Sequence, residues 1–425
     1  MLYPWPPGNT MATSAATAPL RSAVDPELVL LIPTDDVAEP EFSIVIPAMN
    51  ERITIVEFVR WCLEGLAKAG VAGEILIVDS STDETPELAL AEGARVLRTP
   101  KRGLGRAYID SIPYIRGKYV LMGDADCTYD FRDISGFVQQ FRAGADYIMG
   151  SRFRGYVEPG AMPPLHRYFG TPLTTWILNL LYSTNFSDIH CGMRGITRDA
   201  LLRIELESQS WEYASEMVLK AVCLGLRKTE VPVRFLKDKE GRLSHMKRAN
   251  WFEPWRAGWI NLRAMLLYGA DFFLLRPGFV LLCVGLLLLL PETLGPVRIG
   301  PITLSLYWSL MGLTCSVVGL QSFYLGAIVQ VIYSYYPSAY ERWVRLFRYN
   351  RAIAATAGML AAGLALVLPL VVDYVGRGFR LSVITPKSAH MAATGLFLLI
   401  AAFLTFSTTL VLNASTLRLR PRNHK

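Results

Sequence analysis

The stretch Tyr119–Phe131, YVLMGDADCTYDF, is the part of the sequence from which the fold follows most directly. Its four apolar residues, Tyr119–Met122, predict a short buried strand, which Gly123 ends. Asp124 and Asp126 share one face of that strand, so both carboxylates should project from its C-terminal end, where open α/β sheets bind ligands. Paired carboxylates together with substrate phosphates are typical Mg²⁺ ligands. An ordinary polar turn would use the same residues, and this stretch alone leaves both interpretations open.

Composition divides the 425 residues into two parts, although the averages are 52% hydrophobic and 19% charged. The chain resembles a soluble enzyme up to about Arg263, and long apolar runs begin after Phe272. Its net charge of +7 is modest, and basic residues lie near the apolar runs, which favours anionic lipid headgroups over nucleic acid as a partner. The six cysteines form no CxxC pair. This argues against a zinc site or disulfide framework and favours a reducing, cytoplasmic location for the globular part.

Alternating short elements predict an α/β fold. Residues 1–40, rich in Pro, Ala, Ser and Thr, predict a disordered leader that is not a signal peptide. Short apolar strands then alternate with helical segments, which predicts a doubly wound, mostly parallel sheet. The predicted strands are Phe42–Pro47, Glu74–Val78, Arg95–Arg98, Tyr119–Met122, Tyr147–Met149 and Val231–Phe235.

A glycine-rich basic turn, Pro100–Ala107, follows the third strand. It lacks the GxGxxG spacing and the first-strand position of a dinucleotide site, which argues against a nicotinamide or flavin enzyme. Gly103 and Gly105 would let the backbone approach a phosphate. The basic side chain beside that phosphate would come from Lys101, Arg102 or Arg106. The alternative is a surface loop with solvated charges.

Five motifs occur in the order and spacing of a known family: Phe42–Glu51, Val78–Thr85, Arg102–Ala107, Gly123–Phe131 and Gly150–Phe153. Together they resemble the family 2 inverting glycosyltransferases, whose GT-A fold is a Rossmann-like, mostly parallel sheet. They are most similar to the polyprenyl-phosphate sugar synthases of the dolichyl-phosphate mannose synthase type. The resemblance covers about Phe42 to Arg263 and implies a catalytic domain at 41–245 that uses a GDP- or UDP-hexose.

The resemblance also implies roles on the donor side. It implies that Asp79 hydrogen-bonds the nucleotide base. The residues expected to bind the nucleotide sugar are Pro47, Asn50, Glu51, Asp79, Arg106, Asp124, Arg152, Arg242 and Ser244. The resemblance places a Mg²⁺ or Mn²⁺ ion on Asp124 and Asp126. Thr128 stands where the mannose synthases have a metal-binding Gln.

On the acceptor side, Asp188–Gly195, DIHCGMRG, resembles the family segment D-x-x-[ST]-G-F-R. The resemblance implies that Arg152 and Arg194 bind the acceptor phosphate, which a guanidinium can grip with two donors. It assigns catalytic roles to Asp126, Asp188, Arg194 and Glu216. His190 has no partner histidine at ligand spacing, so a structural role is expected.

Two further segments carry candidate residues. Glu216 matches an active-site carboxylate of the family, or alternatively is an acid stabilised at a helix N-terminus. The basic loop Lys237–Arg248 resembles a family loop ending in G-x-S-K. It places Arg242, Ser244 and Lys247 on the pyrophosphate.

This site composition suits a phosphate acceptor. A phosphomonoester has a second pKa of about 6, so it is largely an anion at pH 7 and needs no general base. The enzyme must then neutralise like charges and align the reactants, and a metal would stabilise the departing nucleoside diphosphate. Direct inversion of an α-linked donor predicts a β-linked product.

Two segments are candidates for the membrane surface. Pro163–Ser183 predicts an amphipathic helix that either packs on the sheet or lies at the membrane interface beside the lipid. Residues 246–275 predict amphipathic interface helices, because Trp251, Trp255 and Trp259 form one stripe.

Residues 276–425 predict a transmembrane domain of four spans. Arginines concentrate between the second and third spans and in the tail, so the catalytic domain and the C-terminus should face the cytoplasm at the cell membrane. The helices would also be open to lipid or partner subunits, including a homo-oligomer. The spans are about Gly278–Leu294, Leu304–Tyr333, Ala354–Val375 and Met391–Asn413.

Two rival functions remain. A processive polysaccharide synthase has the same fold but carries Q-x-x-R-W before its spans, whereas Arg342-Trp343 follows two spans and lacks the Gln. A non-catalytic membrane scaffold or flippase is a different class. The intact Asp-Ala-Asp motif, the glycine-rich turn and the basic loop argue against it.

Overall fold

The computed structural model describes residues 20–21, 25–182, 184–239, 241–242, 259, 263, 269–333, 337–380 and 386–419. The chain divides into two compact units between Met265 and Leu266. The first contains a nine-stranded sheet, and the second contains long apolar helices. Of the predicted tryptophan stripe, only Trp259 lies within the described residues, and Ser244 and Lys247 lie outside them.

Four parallel strands form the centre of the first unit, in the spatial order β5-β4-β3-β6. They are almost fully buried, and strands covered on both faces have the continuous apolar sequences seen here. The predicted strands are confirmed in this part of the sheet. Their bounds are β3 (Phe42–Ala48), β4 (Gly73–Asp79), β5 (Arg95–Arg98) and β6 (Tyr119–Met122).

Helices connect these strands and cover the sheet. The longest, α1, ends at Gly70, whose φ of 63° suits a residue without a Cβ. The others in this half are shorter. Their bounds are α1 (Ile55–Ala69), α2 (Thr85–Ala91), α3 (Leu104–Ser111) and α4 (Ser135–Arg142).

The second half of the sheet contains a strand that the sequence did not predict. This strand, β8 (Arg194–Thr197), runs antiparallel to β6 and to β7 (Tyr147–Val157), and β9 (Lys228–Phe235) is parallel to β7. β7 also extends well past its predicted end at Met149. Because Arg194 pairs in register with the last residue of β6, the unpredicted strand brings an arginine beside the Asp-Ala-Asp turn.

The N-terminal segment corrects the expectation of a disordered leader through residue 40. Two short strands, β1 (Leu20–Arg21) and β2 (Val29–Leu31), extend the sheet, and β2 pairs antiparallel with β5. Ion pairs anchor the segment: Arg102 binds Asp25 and Glu27, and Arg116 binds Asp36. The prediction failed because these residues become ordered only through partners elsewhere in the chain.

Three more helices of the first unit lie between β7 and β9 in the sequence. Where an amphipathic helix was predicted over Pro163–Ser183, a π-helical turn, His166–Gly170, leads into α5. Several large apolar side chains of this stretch are exposed: Leu165, Tyr168, Phe169, Leu173, Trp176 and Leu180. The three helices are α5 (Thr171–Tyr182), α6 (Arg198–Ile204) and α7 (Tyr213–Cys223).

Within its described residues, the second unit contains four helices that are long and apolar enough to cross a membrane: Phe272–Leu294, Leu306–Ile332, Tyr349–Gly376 and Lys387–Ser415. The predicted number of spans is thus confirmed. A short hairpin of β10 (Val297–Ile299) and β11 (Ile302–Leu304) connects the first two. The helices of the unit are α8 (Ala270–Leu289), α9 (Leu306–Tyr333), α10 (Pro337–Leu346), α11 (Tyr349–Gly376) and α12 (Pro386–Leu419).

Candidate active site

A cavity of about 280 Å³ in the first unit is bordered by the turn that follows β6. It brings together many of the side chains that the sequence suggested. Its charged and hydroxyl-bearing lining includes Asp124, Asp126, Thr128, Arg152, Arg194 and Asp238. Its aromatic lining is Tyr129, Trp211, Tyr213 and Phe235.

Asp124 and Asp126 project into this cavity from the same strand end, as predicted. Burial raises the pKa of both carboxyls, and the charge of Asp126 raises the pKa of Asp124 further. The charges of Arg194 and Arg242 act in the opposite direction on Asp124. Two crowded carboxylates are costly to keep ionised, so the arrangement favours a bound cation.

The turn after Asp126 is held in an unusual backbone conformation. Cys127 has a φ of 58°, which is uncommon for a residue with a side chain. Thr128 donates its backbone N–H (3.0 Å) and its hydroxyl (2.6 Å) to Asp126 Oδ1. Thr128 therefore lines the cavity and orients the Asp126 carboxylate.

Arg152 and Asp188 form a buried pair. Arg152 Nε and Nη2 donate to the two oxygens of Asp188 at 2.6 and 2.9 Å. Asp188 is completely buried, while Arg152 lines the cavity and also lies over the ring of Phe235. Asp188 therefore supports Arg152, and it is the arginine that borders the cavity.

Arg194 is held by backbone carbonyls. Its guanidinium donates to the oxygens of Cys191 (2.8 Å), Ala214 (2.5 Å) and Ile189 (3.4 Å). It is 2% exposed and borders the same cavity as Asp124. A buried guanidinium bound to neutral carbonyls keeps its positive charge available to an anion.

Arg242 connects the basic loop to the acidic groups. It donates to both oxygens of Glu51 at 2.7 and 2.5 Å. Its Nη1 lies 3.4 Å from Asp126 Oδ2 and 3.4 Å from Asp238 Oδ1. Three predicted donor-side residues, Glu51, Asp126 and Arg242, therefore lie together.

The ends of β3 and β4 are joined by the residues predicted to surround the nucleotide. Asn50, at a φ of 57°, accepts the backbone N–H of Thr82 at 2.9 Å, and its own N–H donates to Ser81. Pro47 lies one residue before the end of β3. These contacts fix the shape of the two loops.

Asp79 closes β4 and is completely buried. Its Oδ2 accepts a bond from Arg98 (2.6 Å) and one from the backbone N–H of Ser81 (3.2 Å). Its Oδ1 has no hydrogen-bond partner among the described residues. Burial raises the pKa of this carboxyl. Asp79 is not part of the cavity lining, and its predicted contact with the nucleotide base stays a prediction.

The glycine-rich turn differs from its predicted role at a phosphate. A Cβ on Gly103 would lie 2.3 Å from the carbonyl oxygen of Gln209, and one on Gly105 would lie 2.1 Å from that of Ser208. The two glycines therefore make room for another segment of the chain. Two of the three predicted basic partners are engaged as well: Arg102 binds the N-terminal segment, and Arg106 binds Asp110 at 2.8 Å, whereas Lys101 is exposed.

Glu216 is not brought into the cavity lining. Its completely buried carboxylate accepts the backbone N–H groups of Glu207 (2.9 Å) and Ser208 (2.8 Å) and pairs with Lys220 at 2.6 Å. The family resemblance implies that Glu216 lies at the reaction centre. None of these contacts places it there. The residue organises the same segment that packs on the glycine-rich turn.

His190 lines the cavity, and its Nε2 shares a 2.7 Å hydrogen bond with the hydroxyl of Thr174. Burial lowers the pKa of His190 to about 4. The imidazole is therefore neutral at pH 7, and the structural role expected for it stays a prediction.

Sequence reasoning missed several residues of the cavity wall. A Cβ on Gly192 would lie 2.6 Å from Asp124 Oδ2, and its N–H donates to the hydroxyl of Tyr129 at 2.7 Å. Both residues lie within quoted motifs, but only the strand pairing brings them together. Trp211 begins the segment Trp211–Ala221, which continues the family pattern, but the sequence indicated no role for its side chain.

The donor set fits a divalent cation only in part. Among the described residues, no group of three His, Cys, Asp or Glu side chains could hold a metal ion by itself. Asp124 and Asp126 supply two hard oxygen ligands, and Mg²⁺ commonly combines such a pair with substrate phosphates and water. The residues therefore suit a cation that arrives with a nucleotide.

Comparison with known proteins gives the family. Residues 43–204 match the family described as Glycosyl transferase family 2. The low-salt glycan biosynthesis hexosyltransferase Agl6 of Haloferax volcanii is 35% identical over 355 residues, which covers 82% of this chain and 84% of that protein. The chain belongs to glycosyltransferase family 2. The predicted family and enzyme class are thereby confirmed.

This family 2 glycosyltransferase is also similar to other proteins over its catalytic unit. The polyprenol monophosphomannose synthase of Mycolicibacterium smegmatis is 29% identical over 222 residues, covering 49% of this chain and 81% of that protein. The crystal structure of mannosyl-3-phosphoglycerate synthase from Rubrobacter xylanophilus superposes with a TM-score of 0.41 and 20% identity. That match covers 53% of this chain and 72% of the other.

Proposed function

We propose that this glycosyltransferase moves a single hexose, most simply mannose or glucose, from a GDP- or UDP-sugar to a polyprenyl phosphate. The observation that carries the proposal is one cavity that joins the carboxylates of Asp124 and Asp126 to the guanidinium groups of Arg152 and Arg194. The same chain contains four helices of membrane-spanning length. Carboxylates for a metal-bound donor and guanidinium cations for an anionic acceptor thus line one cavity.

The donor's nucleotide would lie over the ends of β3 and β4. There the unpartnered Oδ1 of Asp79 offers an acceptor to a base N–H. Pro47 and Asn50 shape the same edge of the sheet. Arg242 now neutralises Glu51 and Asp126, and in this proposal its guanidinium turns to the donor's pyrophosphate.

Asp124 and Asp126 would hold Mg²⁺ or Mn²⁺, with Thr128 orienting Asp126. When bound, such a cation neutralises the charge that develops on the departing nucleoside diphosphate. The related polyprenol monophosphomannose synthase supports a phosphate acceptor, because its name specifies a polyprenol monophosphomannose product.

Arg152 and Arg194 would hold the acceptor phosphate on the opposite side of the cavity. The Asp188 carboxylate keeps Arg152 in place, and three backbone carbonyls keep Arg194 in place. Because the phosphate is already an anion near pH 7, it attacks the anomeric carbon directly while the bond to the nucleoside diphosphate breaks. Inversion then gives a β-linked sugar from an α-linked donor. The neutral His190 is not needed as a base.

The acceptor's polyprenyl chain requires access from a bilayer. The exposed apolar side chains around α5 favour the membrane-interface interpretation of the Pro163–Ser183 segment. The arginines between the second and third spans favour the cytoplasmic side for the catalytic unit. Transfer would therefore take place at the cytoplasmic leaflet.

The test incubates the full chain in detergent or vesicles with Mg²⁺ or Mn²⁺, a panel of UDP- and GDP-sugars, and polyprenyl phosphate. The expected product is a lipid carrying one hexose, formed from one nucleotide sugar in preference to the others. Formation of a long polymer would indicate a processive synthase instead. Absence of any lipid-linked sugar with every donor would contradict the proposal and favour a scaffold or flippase.

A further inference from the structure

The segment Glu205–Trp211, which connects α6 to α7, forms a wall of the cavity through Trp211. The Trp211 side chain is 51% exposed, whereas two other aromatic residues of the lining, Tyr129 and Tyr213, are 3% and 5% exposed. A single exposed tryptophan needs no explanation on an ordinary surface. Here it borders the cavity that holds the acidic pair.

One side of this segment is fixed by the glycine-rich turn. The backbone N–H of Arg106 donates to the carbonyl of Gln209 at 3.0 Å. A Cβ on Gly105 would lie 2.1 Å from the oxygen of Ser208 and 2.9 Å from that of Ser210. The turn and the segment therefore pack backbone against backbone, with no room for a side chain at Gly105.

The other side is fixed by a buried ion pair. Glu216 accepts the backbone N–H groups of Glu207 and Ser208, and Lys220 Nζ donates to the carbonyl of Glu205 at 2.7 Å. Both charged side chains are almost completely buried, with 0% and 5% of the Glu216 and Lys220 side chains exposed. Desolvating such a pair is costly. The backbone contact with the glycine-rich turn and the contacts with the ion pair both limit the movement of the segment.

We propose that Trp211 is a specificity-determining residue whose indole stacks on the hexose of the nucleotide sugar. This inference rests on the proposed function and names the part of the site that recognises the sugar. A hexose attached to a diphosphate at Asp124 and Asp126 must extend into the cavity that Trp211 borders. One face of a hexopyranose carries mainly C–H groups, which pack against the electron-rich face of an aromatic ring.

Gly105 and Glu216 are positioning residues in this proposal, because they act on the sugar only through the segment that carries Trp211. Gly105 and Glu216 contact this one segment, and neither of them lines the cavity, although Leu104 of the glycine-rich turn does. Aromatic walls with a few placed polar groups are the usual composition of small-molecule sites.

The test compares two ligands on the full chain in the presence of Mn²⁺ by isothermal titration calorimetry. One ligand is the preferred nucleotide sugar, and the other is the matching nucleoside diphosphate, which lacks the hexose. Trp211→Ala should weaken binding of the nucleotide sugar about tenfold and leave binding of the nucleoside diphosphate unchanged. Trp211→Phe should retain most of the affinity, since a ring remains.

The matched control is Trp176→Ala, because Trp176 is a 60% exposed tryptophan on α5 outside the cavity lining. It should change neither affinity. Gly105→Ala and Glu216→Gln should reproduce the sugar-selective loss, and should raise KM for the donor more than they lower kcat. Unchanged binding of nucleoside diphosphate shows that each variant is folded.

Equal weakening of both ligands by Trp211→Ala, or weakening of neither, would overturn the proposal while leaving the proposed function intact. A rise in KM for polyprenyl phosphate alone would also overturn it, in favour of a contact with the acceptor. Failure of the unmodified chain to bind any nucleoside diphosphate would instead refute the proposed function, and this inference with it.

Discussion

The two units are stabilised by different contacts. In the catalytic unit, charged side chains are buried in pairs, with Arg152–Asp188 at the cavity and Lys220–Glu216 at the segment that carries Trp211. In the membrane unit, α8 and α9 approach each other on glycine, where a Cβ on Gly319 would lie 2.3 Å from the backbone nitrogen of Leu282. Glycines spaced seven residues apart line this contact: Gly278 and Gly285 on α8, and Gly312, Gly319 and Gly326 on α9.

The difference follows from what each unit must do. Buried charges are costly, and a protein that retains them around a cavity can use them to hold charged ligands. Helices in lipid gain little from the hydrophobic effect and associate through close backbone contact at small residues. The membrane unit also has a buried polar contact, in which His390 lies 3.4 Å from Glu292 and 2.6 Å from Ser309. The glycine contact between α8 and α9 nevertheless involves more residues than this polar contact.

Removing a cavity carboxylate should have the largest effect. Asp126→Ala should lower kcat by roughly a thousandfold, equivalent to about 4 kcal/mol of transition-state stabilisation, because it removes half of the paired oxygen ligands. The measurement is the initial rate of lipid-linked sugar formation, with the melting temperature as a check of folding. The exposed Glu87→Ala is the matched control and should leave the rate unchanged. An active Asp126→Ala would remove the metal role from this residue.

Breaking the buried Arg152–Asp188 pair should have the next largest effect. Asp188→Asn should destabilise the catalytic unit by about 3 kcal/mol, because Arg152 keeps its charge but loses its bidentate partner. Chemical denaturation of the full chain measures the change. The exposed pair Arg227–Asp146 provides the comparison, since Asp146→Asn should cost less than about 1 kcal/mol. An equal loss in the free energy of unfolding from Asp188→Asn and Asp146→Asn would show that burial does not make the Arg152–Asp188 pair more important for stability.

In the membrane unit, a single methyl group should be enough to disturb the glycine contact. Gly319→Ala should destabilise the unit by about 2 kcal/mol, because the new Cβ would overlap the backbone of α8. Thermal unfolding in detergent measures this. Gly358→Ala is the control, because a Cβ there would meet nothing within 4 Å. A stabilised Gly319→Ala would show that the two helices do not rely on this contact.

The smallest expected effect concerns pH. The pKa of His190 is about 4 in the folded chain, against an ordinary value of 6.5, so the unfolded chain takes up a proton first as the pH falls. Stability from this residue is complete above about pH 6.5 and is lost between there and pH 4; at pH 5.5 the loss is about 1.4 kcal/mol. His190→Gln should remove this part of the pH dependence. The measurement is the free energy of unfolding at several pH values. If the His190→Gln variant loses as much of this free energy between pH 7.5 and 5.5 as the unmodified chain does, the prediction is contradicted.

The sequence predicted the parts of the fold that local pattern determines. The buried strands have continuous apolar sequences, so Arg95–Arg98 and Tyr119–Met122 were placed at their observed bounds. Asp124 and Asp126 were found because strand geometry alone directs both to one face. Four spans followed from length and hydropathy.

What the sequence did not predict depends on partners distant in the chain. Arg194–Thr197 became a strand only because β6 and β7 offer edges to it. Gly103 and Gly105 leave space because they have no side chain. The neighbouring sequence does not indicate whether a phosphate or another backbone segment fills that space. Glu216 is a different case, because its hydrogen-bond partners lie nearby, in the loop before its own helix, but the fold of that loop is not evident from its sequence.

The pairing of β2 with β5 has a practical consequence for shortened versions of this protein. The family match begins at residue 43, and a truncation guided by it would delete β2 together with Asp25, Glu27 and Asp36. The edge of β5 would then offer unpaired N–H and C=O groups to other molecules, and such edges promote strand-to-strand aggregation. A soluble preparation of the catalytic unit should therefore begin ahead of residue 25.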